Sequence, residues 1–389
     1  MRLRRWWHRC WWPTLDPDSL ADGGVVVAHE WFTRGGSDKV AAAMAEASGA
    51  GALVCLSLNP EVLDDLGIAA PVHQCRLGSW ASQGRRWQLL LPLMPVIWGS
   101  LDLGATATVV TSSHSLVNSI RPIGHRISYC HTPVRYGWEW RMELGRLPRL
   151  ARPMLGPVAW MLRRWDRRMS RRVDVYIANS RFVAERIHRA YGREAMVIHP
   201  PIDTTLFVPP TDDASDSQGG RSDEFLVVGR LIPYKRADVA VAAATKAGVR
   251  LLVAGWGPER QRLEALAGPT VRFLEWPGDD ELVALMQRAR ALLHPGIEDF
   301  GMIVLEAQAC GTPVIARAAG GARDSMDPSC SGELLESDDV AEWAAALAGF
   351  ADPASADQRR RWALGFSAEV FTDRFRQVLS GVITPAVRE

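Results

Sequence analysis

The sequence predicts an α/β protein of two domains, each a parallel sheet covered by helices, and three observations carry that expectation. At 389 residues the chain is longer than the roughly 100–200 residues of a common domain. From Val25 onward short β-branched runs alternate with helical patterns, and strands that read as unbroken apolar runs are those buried on both faces of a parallel sheet. The alternation stops at one polar stretch and then restarts, as a linker between two similar units requires.

In chain order, residues 1–22 form a basic, Trp-rich tail. Residues 23–208 form the first domain, with VVVA and the helical DKVAAAMAEA, then ALVCLSL, TATVVTSS, RISYC, VDVYIANS with the helical RFVAERIHRAY, and MVIH. Residues 209–224 carry PPTDDASDSQGGRS, which is polar, rich in Pro, Gly and Ser, and reads as an exposed linker. Residues 225–354 form the second domain, with EFLVVG, RADVAVAAATKA, VRLLVAG, PERQRLEALA, TVRFLEW, DDELVALMQRA, RALLHP, IVLEAQAC and TPVIA. Residues 355–389 look helical and end without a further strand, so they are expected to pack back on the first domain. Two such sheets face one another across a cleft, and open parallel sheets bind ligands beyond the carboxyl ends of their strands.

Composition narrows the function. A hydrophobic share of 47% with 23% charged residues belongs to a folded chain. Lys+Arg 45 against Asp+Glu 44 leaves a formal net charge of +1, which supplies no global attraction to nucleic acid. The six cysteines form no CxxC pair and read as reduced core thiols of a cytoplasmic protein. No run approaches the roughly 20 apolar residues that span a bilayer; the best, Leu89 to Leu101, is short and holds Pro92 and Pro95. The N-terminus starts basic, but His8, Arg9 and Pro13 break its apolar run and no small-residue cleavage site follows, which argues against export.

The most informative segment is GIEDFGMIVLEAQACGTP, from Gly296 to Pro313, after the apolar run RALLHP. Glu298 falls in a loop after a strand and Glu306 inside the helix that starts near Gly301. Gly296 and Gly301 allow the backbone to approach a ligand closely. The first N–H groups of that helix, those of Gly301, Met302 and Ile303, would point at an anion, favoured there by the helix dipole. Carboxylates only accept hydrogen bonds, so two of them beside a phosphate site suit a ligand that joins phosphate to hydroxyls, such as a nucleotide sugar. Spacing alone also fits ordinary solvent-facing acids. A second segment, GRLIPYKRADVAVAAA, sets Arg230 just after a strand and Lys235 just before a helix, a plausible clamp for a diphosphate whose charge grows as it departs.

These motifs resemble the donor-binding signature of retaining glycosyltransferases of family four, which have the GT-B fold of two Rossmann-like domains. The resemblance covers Gly24 to about Val378. In the first half, HEWFTRGGSDKV, LLPLMPV, TSSHSLVNSI, YCHTPVRYGW and IANSRFVAERI resemble a bacterial mannosyltransferase subgroup of surface-polysaccharide synthesis, whose usual donor is GDP-mannose or a sugar derived from it. The resemblance implies that Gly35 and Gly36 form the glycine loop near the donor diphosphate and that His131 sits at the sugar. It implies further that Arg230 and Lys235 clamp phosphate, Glu298 holds sugar hydroxyls and Glu306 holds the ribose. The subgroup often has Asp where this chain has Glu30, and a small residue or Glu near Asp38, differences that bear on acceptor or loop geometry. No DxD pair or His/Cys cluster accompanies the cations, so the expectation is catalysis with no metal and no cofactor. Retention of configuration comes from the resemblance, with His131 positioning and stabilising and no covalent nucleophile.

The chain start MRLRRWWHRCWW interleaves four arginines with four tryptophans, which suits an anionic bilayer surface and equally a tail with no specific role. From Arg141 to Arg172, ten arginines face two acids. A lipid-linked glycan acceptor at the cytoplasmic leaflet would explain that charge and the apolar LLLPLMPVIW segment; a solvated helix face over core residues would do so as well. Partners are therefore a nucleotide-sugar donor, a glycan or lipid-linked glycan acceptor and peripheral contact with anionic membrane. Two other functions remain open: a nucleotide-sugar epimerase of the same architecture, and a non-catalytic donor-binding assembly subunit.

Overall fold

The Val, Ile and Leu runs become parallel strands whose side chains alternate between two cores. In β1 (Val25–Phe32) seven of eight residues are buried. Val25 and Val27 join one apolar cluster with Val40, Met44 and Ile127, while Val26 and Ala28 join another with Val54, Trp98 and Val109. A strand covered on both faces favours apolar residues on both, which is why these segments open as unbroken apolar runs. The computed structural model describes residues 11–13, 24–78, 93–103, 108–121, 124–139, 152–210 and 221–383. Most of the tail 1–22, the start of the LLLPLMPVIW segment, the arginines at 141, 146 and 149, and linker residues 211–220 lie outside them.

β2 (Ala52–Leu58), β3 (Val72–Gln74), β4 (Thr108–Ser113), β5 (Arg126–Cys130), β6 (Val175–Ala178) and β7 (Met196–Val197) complete a sheet ordered β3-β2-β1-β4-β5-β6-β7. The second sheet comprises β8 (Phe225–Val228), β9 (Leu251–Ala254), β10 (Val271–Leu274), β11 (Leu292–His294), β12 (Val314–Arg317) and β13 (Gly332–Leu335), ordered β10-β9-β8-β11-β12-β13. The strands pair in parallel throughout both sheets. The fold is thus two Rossmann-like units of the α/β class. In each, the strand order reverses where the first strand meets the fourth, β1 beside β4 and β8 beside β11. Connections leave in opposite directions there and open a crevice at the carboxyl ends.

The chain divides into one unit of Met1–Pro201 with Phe371–Glu389 and a second of Ile202–Val370. The division falls ahead of the polar linker because Ile202 and Phe207 are already in the second unit's core, and the Ile202 N–H donates to the Phe366 carbonyl at 2.9 Å. Nor do residues 355–389 return to the first unit together. The helix Ala356–Leu364 stays in the second, where Arg359, 1% exposed, pairs with both oxygens of Asp352 and donates to the Gly311 carbonyl at 2.7 Å. Only the last helix, Ala368–Ile383, turns back. Phe371, Phe375 and Leu379 recur every four residues, lie on one helix face and fill the same core as Val27 and Met44.

Of the two features that the sequence left open between a membrane role and a bland one, the described parts include core residues. Trp12 is 0% exposed; its indole N–H donates to the Ile97 carbonyl at 3.0 Å, and its ring lies 5.2 Å from that of Trp98. In the helix Met94–Ser100, Met94, Ile97 and Trp98 are buried, so half of the described LLLPLMPVIW segment packs inward, while Leu93 and Val96 stay exposed. Among the described residues no helix is long and apolar enough to cross a membrane. The five described cysteines are buried thiols.

Candidate active site

At the crevice of the first unit, register sets the chemistry. β1 and β4 pair so that His29 stands beside Ser112, and His29 Nδ1 lies 2.9 Å from Ser112 Oγ. His131, just past the end of β5, reaches the same hydroxyl with Nε2 at 2.9 Å; its backbone N–H donates to the Ser113 carbonyl at 2.8 Å. On the other side of His29, Nε2 lies 3.1 Å from Asp38 Oδ1. Asp38 is in the first turn of the helix Gly36–Ser48. Its Oδ2 accepts the N–H groups of Thr33 at 2.7 Å and Gly35 at 3.0 Å. Burial pushes the Asp38 carboxyl up, but His29 and these backbone donors more than reverse this and hold it below its ordinary value. Burial first, then the neighbouring His29, lower His131 to about 3, so its imidazole is neutral.

The glycine loop is therefore a structural turn in part. Gly35 caps the helix and its N–H is spent on Asp38, with Gly36 the first helical residue. Glu30 holds the next loop: fully buried, it accepts the Val117 N–H at 3.0 Å and the His114 N–H at 3.2 Å. Burial raises its carboxyl to about 8 against the pull of those N–H groups. His114 Nδ1 is 3.0 Å from Glu30 Oε2.

In the second unit the structure brings together Arg230, Lys235 and Glu298, which line one small cavity with Gly229 and His294 at the ends of β8 and β11. Lys235 Nζ lies 2.8 Å from Glu298 Oε1, each side chain about one-fifth exposed. His294 Nε2 is 3.7 Å from the same oxygen. Burial pushes the Glu298 carboxyl up, yet the charge of Lys235, then His294 and Arg230, brings it down to about 2. Burial pushes Lys235 down, and Glu298 returns it above its ordinary value. Arg230 is exposed at the mouth. A fixed carboxylate beside two cations can accept sugar hydroxyls while leaving positive charge for a phosphate.

Gly296 is small for a different reason than close ligand approach: a Cβ there would lie 2.7 Å from the Lys235 Cα, so the residue lets two loops touch. Gly301 precedes the helix Met302–Ala309 in the left-handed region, φ 83°, where a Cβ would come within 3.2 Å of His294 Nε2. Met302 and Ile303 open that helix, with N–H groups directed out of its end. Glu306 lies one turn further in and is 8% exposed. Sequence reasoning missed His294, His29 and Ser112, and gave Asp38 only a bearing on acceptor or loop geometry. The signal for His294 was its place in RALLHP, the counterpart of the strand-end histidine in YCHTP. Gly35, Gly36 and His131 belong to the first unit, the remaining site residues to the second.

Residues 81–206 match the sequence profile described as Glycosyltransferase Family 4, and residues 211–363 that of Glycosyl transferases group 1. The chain is 34% identical to the D-inositol 3-phosphate glycosyltransferase of Mycolicibacterium smegmatis (strain ATCC 700084 / mc(2)155) over 44% of each chain. It is 35% identical to that of Mycobacterium avium (strain 104) over 52% of each. It thus spans about half the length of the curated relatives it matches. Among solved structures, Anabaena Alr3699/HepE in complex with UDP and glucose superimposes with a TM-score of 0.66 at 16% identity, covering 92% of this chain and 100% of that one. Sucrose-phosphate synthase from Thermosynechococcus elongatus does so with a TM-score of 0.69 at 19% identity, covering 93% and 100%. A family-four glycosyltransferase profile thus covers the latter part of the first unit and a group 1 glycosyltransferase profile most of the second, on the two-domain fold that these solved structures share.

Proposed function

We propose that this chain transfers a hexose from a nucleotide diphosphate donor to a glycan or lipid-linked glycan of cell-surface polysaccharide synthesis, with retention of configuration, and that the donor is GDP-mannose. The observation that carries the reading is Arg230 and Lys235 beside Glu298 at the carboxyl ends of β8 and β11. Negative charge grows on the departing diphosphate, and cations fixed before the reaction stabilise it more in the transition state than in the ground state. In this reading they take the place of a metal ion. Glu298 accepts sugar hydroxyls, Glu306 the ribose, and the N–H groups of Gly301, Met302 and Ile303 face phosphate. His131 acts as a neutral imidazole that positions and stabilises.

The UDP and glucose of Anabaena HepE support a nucleotide-sugar donor and make uridine the competing base. The D-inositol 3-phosphate glycosyltransferases favour a second reading of the acceptor, a phosphorylated polyol. Peripheral contact with the cytoplasmic leaflet draws support from the helix Arg152–Ser170, where Val158, Trp160 and Met161 stay exposed among the exposed Arg164, Arg167 and Arg168.

Thermal-shift titration with GDP, UDP and ADP fixes the base, because a ligand at about 100 times its Kd adds roughly 2.7 kcal/mol of stability. Transfer assays with GDP-mannose and UDP-glucose, run with and without EDTA, then fix the donor and the place of metal. The reading requires stabilisation by GDP, turnover that survives EDTA, and severe loss in His131→Ala, Lys235→Ala and Glu298→Ala with the fold retained. Unchanged activity in all three variants would defeat it.

A further inference from the structure

Four side chains of the first unit stand in single file, Asp38, His29, Ser112 and His131, joined by contacts of 3.1, 2.9 and 2.9 Å. The first three are at most 1% exposed; His131 is half-buried at the end. With one proton on His29, what each group can donate fixes the direction of every bond. The Asp38 carboxylate only accepts, so His29 Nε2 carries a proton and donates it. Holding that one proton, His29 offers a bare Nδ1, and Ser112 must turn its single proton toward it. The Ser112 oxygen is left to accept from His131, whose Nε2 is therefore protonated and whose Nδ1 keeps its lone pair.

We infer that Asp38 is a positioning residue which, through His29 and Ser112, locks His131 in the tautomer with Nε2 protonated and Nδ1 bare. The inference deepens the proposed function, because it rests on His131 serving transfer through that nitrogen as an acceptor for a hydroxyl of the sugar. His114, whose ring lies 5.9 Å from that of His29 and 6.2 Å from that of His131, stands outside the file with Glu30.

Asp38→Asn gives an inverted outcome rather than a simple loss. Oδ2 takes the Thr33 and Gly35 N–H groups, so the amide oxygen must occupy that place and the amide nitrogen must face His29. The amide then donates to His29 Nε2, His29 Nδ1 donates to Ser112, Ser112 donates to His131 Nε2, and the His131 proton moves to Nδ1. An aspartate that fixes a histidine tautomer in this way is known to matter greatly to rate when the histidine contacts the reacting groups.

The test is imidazole nitrogen NMR on the full chain with isotope-labelled histidine at pH 8, with the His131 signals identified by their absence in His131→Gln. The expected result is protonated Nε2 and bare Nδ1 in the native protein, the reverse in Asp38→Asn, and a mixture in Ser112→Ala, where the link is cut. In transfer assays, kcat of Asp38→Asn falls about 100-fold or more, while KM for the donor changes less than about threefold. Nδ1 protonation in the native protein, which a charged His29 would produce, overturns the inference, as does the same tautomer in native and Asp38→Asn protein. Ser112→Ala keeps the question answerable if Asp38→Asn does not fold. The NMR readout needs no turnover, so a chain that moves no sugar defeats the functional reading alone. Inversion of the tautomer with unchanged kcat defeats the part given to Asp38 in transfer.

Discussion

Lys235 Nζ stands 2.8 Å from Glu298 Oε1, with each side chain about one-fifth exposed. The two come from different strand ends, after β8 and after β11, and each is the largest charge acting to hold the other ionised. Removing one partner leaves the other's mostly buried charge without its principal counter-charge. Lys235→Met and Glu298→Gln are each expected to lower unfolding free energy by about 1–3 kcal/mol, below the roughly 3–5 of a fully buried pair because water still reaches both. The double variant should cost less than the two costs added, and urea unfolding of all four proteins measures that coupling. Glu298 has its carboxyl lowered to about 2, so its contribution is complete above its ordinary value of 4.5 and is lost as pH falls toward 2.

Arg230 separates binding from folding. It is exposed beside the same cavity, so Arg230→Ala should change stability by no more than about 0.5 kcal/mol. If its guanidinium meets the diphosphate, the same change raises KM for the nucleotide sugar or lowers kcat by about tenfold or more. Thermal melts and steady-state kinetics on one preparation give both numbers. Unaltered kinetics would place Arg230 outside the clamp.

Glu30 makes the first unit sensitive to alkali. Its carboxyl is raised from 4.5 to about 8 by burial, so the folded protein holds a proton that the unfolded chain has released. Stability is full below about pH 4.5 and is lost as pH rises through about 8, a change on the order of a few kcal/mol. Glu30→Gln cannot titrate. Urea midpoints at pH 5, 7 and 9 should fall for the native protein and fall less for the variant; parallel curves would contradict the burial of an acid form.

Trp12 decides what the start of the chain does. With the ring against Trp98 and the indole N–H on the Ile97 carbonyl, Trp12→Ala should cost about 3–5 kcal/mol of stability. Its recovery with membranes after low-salt lysis should match that of the native protein. A variant of native stability that no longer sediments with membranes would restore the bilayer reading of Trp12.

The second-unit site was largely legible because its residues sit at strand ends in one short stretch each. GRLIPYK and GIEDFGMIVLE carry the strand, the loop and the helix start in sequence, so Arg230, Lys235 and Glu298 could be placed from local pattern alone. What they did not reveal is that Lys235 and Glu298 touch, since contact between two loops depends on β8 lying next to β11. The first-unit file was illegible for the same reason taken further. Its members come from β1, the helix after it, β4 and the end of β5, and only the register of β1 on β4 puts His29 beside Ser112. Tryptophans near arginines look alike in a tail and in a core, and Trp12 differs only by the cavity that Ile97 and Trp98 leave for it.

The final helix has a consequence for how the protein is made. Phe371, Phe375 and Leu379 fill a core whose other walls, among them Val27, Met44 and Ile127, are laid down before the second unit. A nascent chain emerging from the ribosome can finish the second unit, which is one unbroken stretch from Ile202 to Val370, while the first still exposes that apolar floor. The half that begins first is therefore the half that matures last, and in the interval its open surface is the part of the molecule most in need of a chaperone.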